Sequence, residues 1–241
     1  MHLTDKHLKR HIEIMDTTLR DGEQTSGVSF SASEKLTIAQ LLLTELKVDR
    51  IEIASARVSD GEFQAVKKIT EWAAIHGYLN KVEVLTFVDG GTSVDWMISS
   101  GAKVMNLLTK GSLNHLKHQL KKSPEQHFSE IAESIHLAVS KGLEVNVYLE
   151  DWSNGMRNSK EYVIDYLDFI QHLPIKRILL PDTLGVLIPS EVAAFISELV
   201  QRYPKIHFDF HAHNDYDLGV ANVLEAIRAG ADGLHLTVNG M

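Results

Sequence analysis

The sequence contains no cysteine. Disulfides, thiolate zinc sites and cysteine nucleophiles are therefore excluded. No apolar run approaches the roughly 20 residues that a membrane-crossing helix requires. The stretch Met1 to Arg10 is polar and has no apolar core of the signal-peptide kind, so a cytoplasmic protein is expected. Basic residues are in deficit: 24 Lys and Arg stand against 32 Asp and Glu, a net charge of −8. That balance argues against nucleic acid or an anionic membrane as the main partner, yet a small anion can still meet local positive charge. What is present is ordinary for a globular chain, with 44% apolar and 23% charged residues. The length of 241 residues suits one large α/β domain or two small ones.

Short strand-like runs alternate with longer helical patterns from end to end. Strands are predicted at Ile12 to Thr18, Arg50 to Ala54, Lys81 to Val88, Lys103 to Thr109, Leu143 to Glu150, Lys176 to Leu180, Ile206 to His211 and Gly233 to Val238. Ser33 reads as the N-cap of a first helix with apolar residues at Leu36, Ala39, Leu42, Leu43 and Leu46. Further helices are predicted at Gly61 to His76, Thr92 to Ser100, up to Lys141 with Pro124 near the start, Ser159 to His172, Pro189 to Arg202 and Leu218 to Ala229. Eight alternations without a linker indicate one parallel α/β domain, and the count favours a TIM (β/α)8-type barrel over an open sheet. The sequence stops just past the eighth strand. A barrel truncated before its eighth helix, and thus one domain of a longer protein, is the expectation.

In such a barrel the active site lies at the C-terminal ends of the strands. Unusual polar residues cluster there: Arg20 and Asp21, Glu150 and Asp151, Asp182 and Thr183, His211 and His213, and Asn239. His211 and His213 are two apart on a predicted strand, hence on one side of it. A carboxylate with two neutral imidazoles makes a three-ligand metal site with open positions. Mn²⁺, Mg²⁺, Fe²⁺, Co²⁺ or Zn²⁺ would suit this mixed oxygen and nitrogen set. Arg20 can place fixed positive charge over a developing oxyanion, or form a structural ion pair. Glu150 can act as acid or base, or be an exposed loop residue. Thr183 can donate to a substrate carboxylate, or cap a helix.

The run Asp16-Thr17-Thr18-Leu19-Arg20-Asp21-Gly22-Glu23-Gln24 resembles a signature of the α-isopropylmalate, homocitrate and citramalate synthase family, barrels of the DRE-TIM metallolyase superfamily. His211-Ala212-His213-Asn214-Asp215 with Asn222 resembles its second signature. Within the family the chain is most similar to the citramalate synthases, through Arg50 to Arg57, Asn106 to Gly111 and Asn146 to Gly155. The resemblance implies a Claisen-type condensation of acetyl-CoA with a 2-oxo acid, foremost pyruvate, to (R)-citramalate and CoA, in isoleucine biosynthesis. It implies a divalent metal on Asp21, His211 and His213, and acetyl-CoA as co-substrate. Arg20 and Glu150 would be catalytic, Thr183 would bind the substrate carboxylate, and Leu85, Leu108 and Tyr148 would line the pocket for the oxo-acid side chain. A homodimer is implied as well.

The competing readings are an α-isopropylmalate synthase acting on 2-oxoisovalerate, a lyase running the reverse chemistry, and a barrel that binds metal without turnover. The family continues past its eighth strand into a loop whose asparagine also ligates the metal, followed by helix eight, linker subdomains and a C-terminal regulatory domain. On this resemblance the site in residues 1–241 is expected to be formed but incomplete.

Overall fold

The computed structural model describes residues 10–241. The polar start of the chain, residues 1–9, lies outside the described residues. Eight strands close into a parallel barrel in sequence order, β1 to β8. They are β1 (Glu13–Asp16), β2 (Arg50–Ser55), β3 (Val82–Phe87), β4 (Val104–Lys110), β5 (Glu144–Glu150), β6 (Ile178–Asp182), β7 (Phe208–Ala212) and β8 (Gly233–Leu236). The seam is β1 on β8, with Glu13 to Asp16 opposite Gly233 to Leu236. The crossover helices are α1 (Ala32–Thr44), α2 (Asp60–His76), α3 (Thr92–Ser100), α5 (Pro124–Ser140), α7 (Lys160–Ile170), α8 (Pro189–Arg202) and α9 (Gly219–Ala229). Two short helices, α4 (Leu113–His115) and α6 (Trp152–Asn158), sit just beyond the ends of β4 and β5.

The strands alternate, and both faces are buried. One set of side chains, including Ile51, Ile53, Val82, Val84, Met105, Leu107, Val145, Val147, Ile178, Leu180, Phe208 and Phe210, packs with the helices in the main core. The other set points into the barrel and is largely polar. Arg50 pairs with Glu83 at 3.1 Å and with Asp209, so β2, β3 and β7 are tied through the interior. Glu52 accepts from Asn106 at 2.7 Å, and Asn106 accepts from Asn146 at 2.8 Å. Met15, Leu85, Tyr148 and Leu179, with Leu108, form a separate small apolar cluster.

Several boundaries differ from the sequence-based expectation. The N-cap of α1 is Ser31, not Ser33: its hydroxyl accepts from the Glu34 N–H while the Glu34 carboxylate accepts from the Ser31 N–H. This is the capping box, which reads Ser-x-x-Glu from position 31. Strand β6 runs on to Asp182, through Pro181. The missing N–H of Pro181 is harmless, because the pairing of β6 with β5 involves only Ile178 and Leu179 and stops short of it. Among the described residues, β8 is followed only by the three-residue turn Val238–Gly240. No helix there is long and apolar enough to cross a membrane.

Candidate active site

The loop after β1 closes on itself: the Thr17 carbonyl accepts from the N–H groups of Arg20, Asp21 and Gly22 at 3.1, 2.8 and 3.2 Å. It is pinned from behind by Lys35, a buried lysine on α1. Its ammonium donates to the Leu19 carbonyl at 3.1 Å and pairs with Glu23 and Glu62, each at 2.6 Å. This anchoring fixes the backbone that presents Arg20 and Asp21 to the barrel mouth. Opposite, His211 lies in β7 between Pro181 of β6 and His235 of β8. His213 falls one residue past the strand, in the turn where Asn214 Oδ1 receives the Gly219 N–H at 2.8 Å and starts α9.

Asp21 Oδ2 is 3.1 Å from His211 Nε2 and 3.7 Å from His213 Nε2, and the two imidazole nitrogens are 3.2 Å apart. Burial works against charge on Asp21, but the His211 hydrogen bond and the Arg20 guanidinium outweigh it and hold its carboxyl well below the usual range. His211 is pushed down by burial, which keeps the imidazole neutral. A carboxylate and imidazole lone pairs gathered this closely are best satisfied together by a cation. The donor set fits a divalent ion with room for further ligands.

Arg20 is held in two directions, its Nε donating to Glu52 at 2.5 Å and its Nη1 to Asp21 at 2.8 Å. Its Nη2 lies 3.5 Å from the Tyr148 hydroxyl. Glu150, at the end of β5, is paired with Lys110 at the end of β4. The Thr183 hydroxyl accepts from the Asp151 N–H at 2.9 Å, so its own proton is available elsewhere. It does not cap a helix: the cap of α8 is Ile188. Arg20, Asp21, Leu85, Leu108, Tyr148, Glu150, Thr183, His211 and His213 line one cavity of about 330 Å³, together with Gln24 and Pro181. Asn239 is exposed and does not line it. A second cavity, about 490 Å³, reaches Asp21, His211 and His213 from the side of α9 and β8.

Neither Glu52 nor His235 is among the site residues expected from the sequence. Both are buried polar residues on strands where apolar neighbours alternate with them, and in a closed barrel the polar side of such a strand faces inward. That alternation in Arg50-Ile51-Glu52-Ile53 was the available signal.

The family model "HMGL-like" matches residues 11–241. The chain belongs to the HMGL-like family. A 2-isopropylmalate synthase of Sulfurisphaera tokodaii is 34% identical over 96% of this chain and 58% of its own length. A homocitrate synthase of Sulfolobus acidocaldarius is 32% identical over 99% of this chain and 50% of its length. A protein of Methanopyrus kandleri whose name assigns it provisionally to (R)-citramalate synthase is 33% identical over 95% of this chain and 44% of its length. The chain thus spans about half the length of these curated relatives. Among solved structures, the hydroxymethylglutaryl-CoA lyase of Pseudomonas aeruginosa superposes with a TM-score of 0.74 at 16% identity, over 96% of this chain and 77% of the lyase. The carboxyl transferase domain of Rhizobium etli pyruvate carboxylase, solved with pyruvate and biocytin, gives 0.71 at 15% identity, over 94% and 40%. At these identities the likeness is one of fold.

Proposed function

We propose that this HMGL-like barrel carries the condensing centre of an acyl-CoA:2-oxo-acid C-acyltransferase, with acetyl-CoA as acyl donor and pyruvate as the preferred acceptor, giving (R)-citramalate and CoA. The observation that carries the reading is the single cavity that gathers Asp21, His211 and His213 with Arg20, Glu150 and Thr183. The names of the synthase relatives supply the reaction class.

Asp21, His211 and His213 would hold a divalent cation, such as Mn²⁺, Mg²⁺, Zn²⁺ or Co²⁺. When bound, it supplies Lewis-acid polarisation of the acceptor carbonyl. The protein's own groups do the rest. Arg20 keeps its charge, because Glu52, Tyr148 and Asp21 around it outweigh the desolvation that opposes it. Three of its five N–H groups are engaged, so others remain to meet the oxygen on which charge develops when the new carbon–carbon bond forms. Thr183 has its hydroxyl proton free for the acceptor's carboxylate. Glu150 is the carboxylate in this cavity not committed to the imidazoles or to Arg20, which suits it to take a proton from the acetyl methyl group. Leu85, Leu108 and Tyr148 form the apolar wall beside these groups. Such a wall admits the methyl of pyruvate and crowds the isopropyl of 2-oxoisovalerate. An apolar pocket discriminates by about 1–3 kcal/mol per methylene, so the result is a preference.

Free CoA thiol released with pyruvate and with 2-oxoisovalerate, assayed side by side, tests the reading. Pyruvate is expected to have the higher kcat/KM, and a higher value for 2-oxoisovalerate would make the protein an isopropylmalate-type synthase instead.

A further inference from the structure

The last residue pair of the β4–β5 ladder is Lys110 opposite Glu150. Side chains alternate along a strand, so Asn106, Leu108 and Lys110 share the inward face of β4, and Asn146, Tyr148 and Glu150 that of β5. The top layer of this part of the barrel is thus an ion pair, the Lys110 ammonium on Glu150 Oε2.

The backbone under this pair is held from several sides. The Lys110 N–H donates to His127 Nε2 at 3.1 Å, and the Lys110 carbonyl accepts from the Tyr162 hydroxyl at 2.8 Å. The next N–H, of Gly111, donates to the Glu150 carbonyl at 2.7 Å and locks the two strand ends together. A lysine and a glutamate on an open surface exchange partners freely, and such pairs contribute little. Here the two side chains are only 13% and 23% exposed, which restricts the pair to few geometries. The fold has little need of the contact, since β4 and β5 keep register over seven residue pairs. Lys110 also lies outside the cavity that Glu150 lines. Its route to the reaction is therefore through the glutamate. With Oε2 taken by the ammonium, Oε1 is the oxygen left to work. His115 Nδ1 stands 3.9 Å from it, beyond hydrogen-bond reach.

We infer that Lys110 is a positioning residue: its ammonium grips Glu150 by Oε2 and leaves Oε1 aimed into the cavity, where it takes the methyl proton of the acyl donor. The C–H electron pair stays on that carbon, which forms the bond to the acceptor carbonyl. The inference rests on Glu150 being the base of the proposed condensation. A reacting group displaced by about 1 Å can lose roughly 10²-fold in rate, which sets the scale of the effect.

CoA release by the 241-residue chain and its variants tests this. Lys110→Met should lower kcat by about 10- to 100-fold with the KM for pyruvate little changed, and Lys110→Arg should recover most of the rate. Thermal melts show which variants are folded, and Lys110→Gln serves if the methionine variant is not. In a Glu150→Gln background, where the base is already gone, Lys110→Met should cost less than about twofold further. A merely structural lysine would cost the same in both backgrounds. Wild-type kcat in a folded Lys110→Met protein, or equal losses in the two backgrounds, would overturn the inference and leave Glu150 as the base. Wild-type kcat in Glu150→Gln would overturn the base assignment and the inference with it. Absence of CoA release from the wild type with either 2-oxo acid would overturn the condensing reading as a whole, this inference included.

Discussion

Leu85 lies on β3 and Leu108 on the neighbouring β4, and with Tyr148 they put an apolar wall beside charged groups. Size selection should therefore be adjustable at one residue. Leu85→Ala is expected to raise the ratio of kcat/KM for 2-oxoisovalerate over pyruvate by about tenfold or more, as one enlarged apolar contact allows. An unchanged ratio in a folded variant would remove Leu85 from the specificity wall. Truncation of this buried leucine should also lower stability by about 2–4 kcal/mol, measurable by urea unfolding. At this scale the candidate site was largely legible: the nine residues given roles line one cavity, whereas Asp151, Asp182 and Asn239, also expected at the strand ends, do not. What was missed shares a physical cause. Glu52, Asp209 and His235 look like ordinary strand residues until the sheet closes and turns their side inward, where each must find a partner.

At the scale of elements, helix starts and stops were read best where backbone chemistry marks them. Gly77, Gly101 and Gly230 end α2, α3 and α9 in the left-handed conformation, as their positions suggested. Helix α6 was missed because seven residues with a central Gly155 show no apolar period. That glycine is dictated by packing: a Cβ there would lie 2.0 Å from the Gly111 carbonyl oxygen. Helix α5 contributes a brace to the mouth of the barrel through His127, whose Nε2 accepts the Lys110 N–H at 3.1 Å. Desolvation depresses the His127 pKa to about 4. Its pKa in the unfolded chain is about 6.5, so between these values the unfolded state holds more protons. Stability from this group is therefore full above pH 6.5 and is lost as pH falls toward 4, by at most about 3 kcal/mol. His127→Gln should flatten that part of the acid limb. Urea unfolding of both proteins at pH 7.5 and pH 5 checks it, and parallel losses in the two would refute the assignment.

Across the whole molecule, the eight-strand count was enough to predict the closed barrel. The polar character of its interior was not foreseen, since branched apolar residues usually fill such barrels. Arg50 is central to that interior, paired with Glu83 and Asp209 and with its Nε 3.0 Å from Glu13. Removing one partner of a buried charge set leaves the others unpaired, which costs about 3–5 kcal/mol. Arg50→Met should lower unfolding stability by that order, and a change below about 1 kcal/mol would show that the interior charges are not mutually dependent. These ties join β1, β2, β3 and β7, and two of those strands, β1 and β7, lead to Asp21 and His211 at the mouth. The most direct test of the account is anomalous scattering from crystals grown with Mn²⁺ and pyruvate. It predicts a manganese peak among Asp21 Oδ2, His211 Nε2 and His213 Nε2, with pyruvate oxygens completing its shell beside Arg20 and Thr183. Manganese located elsewhere, or pyruvate bound away from these residues, would contradict it.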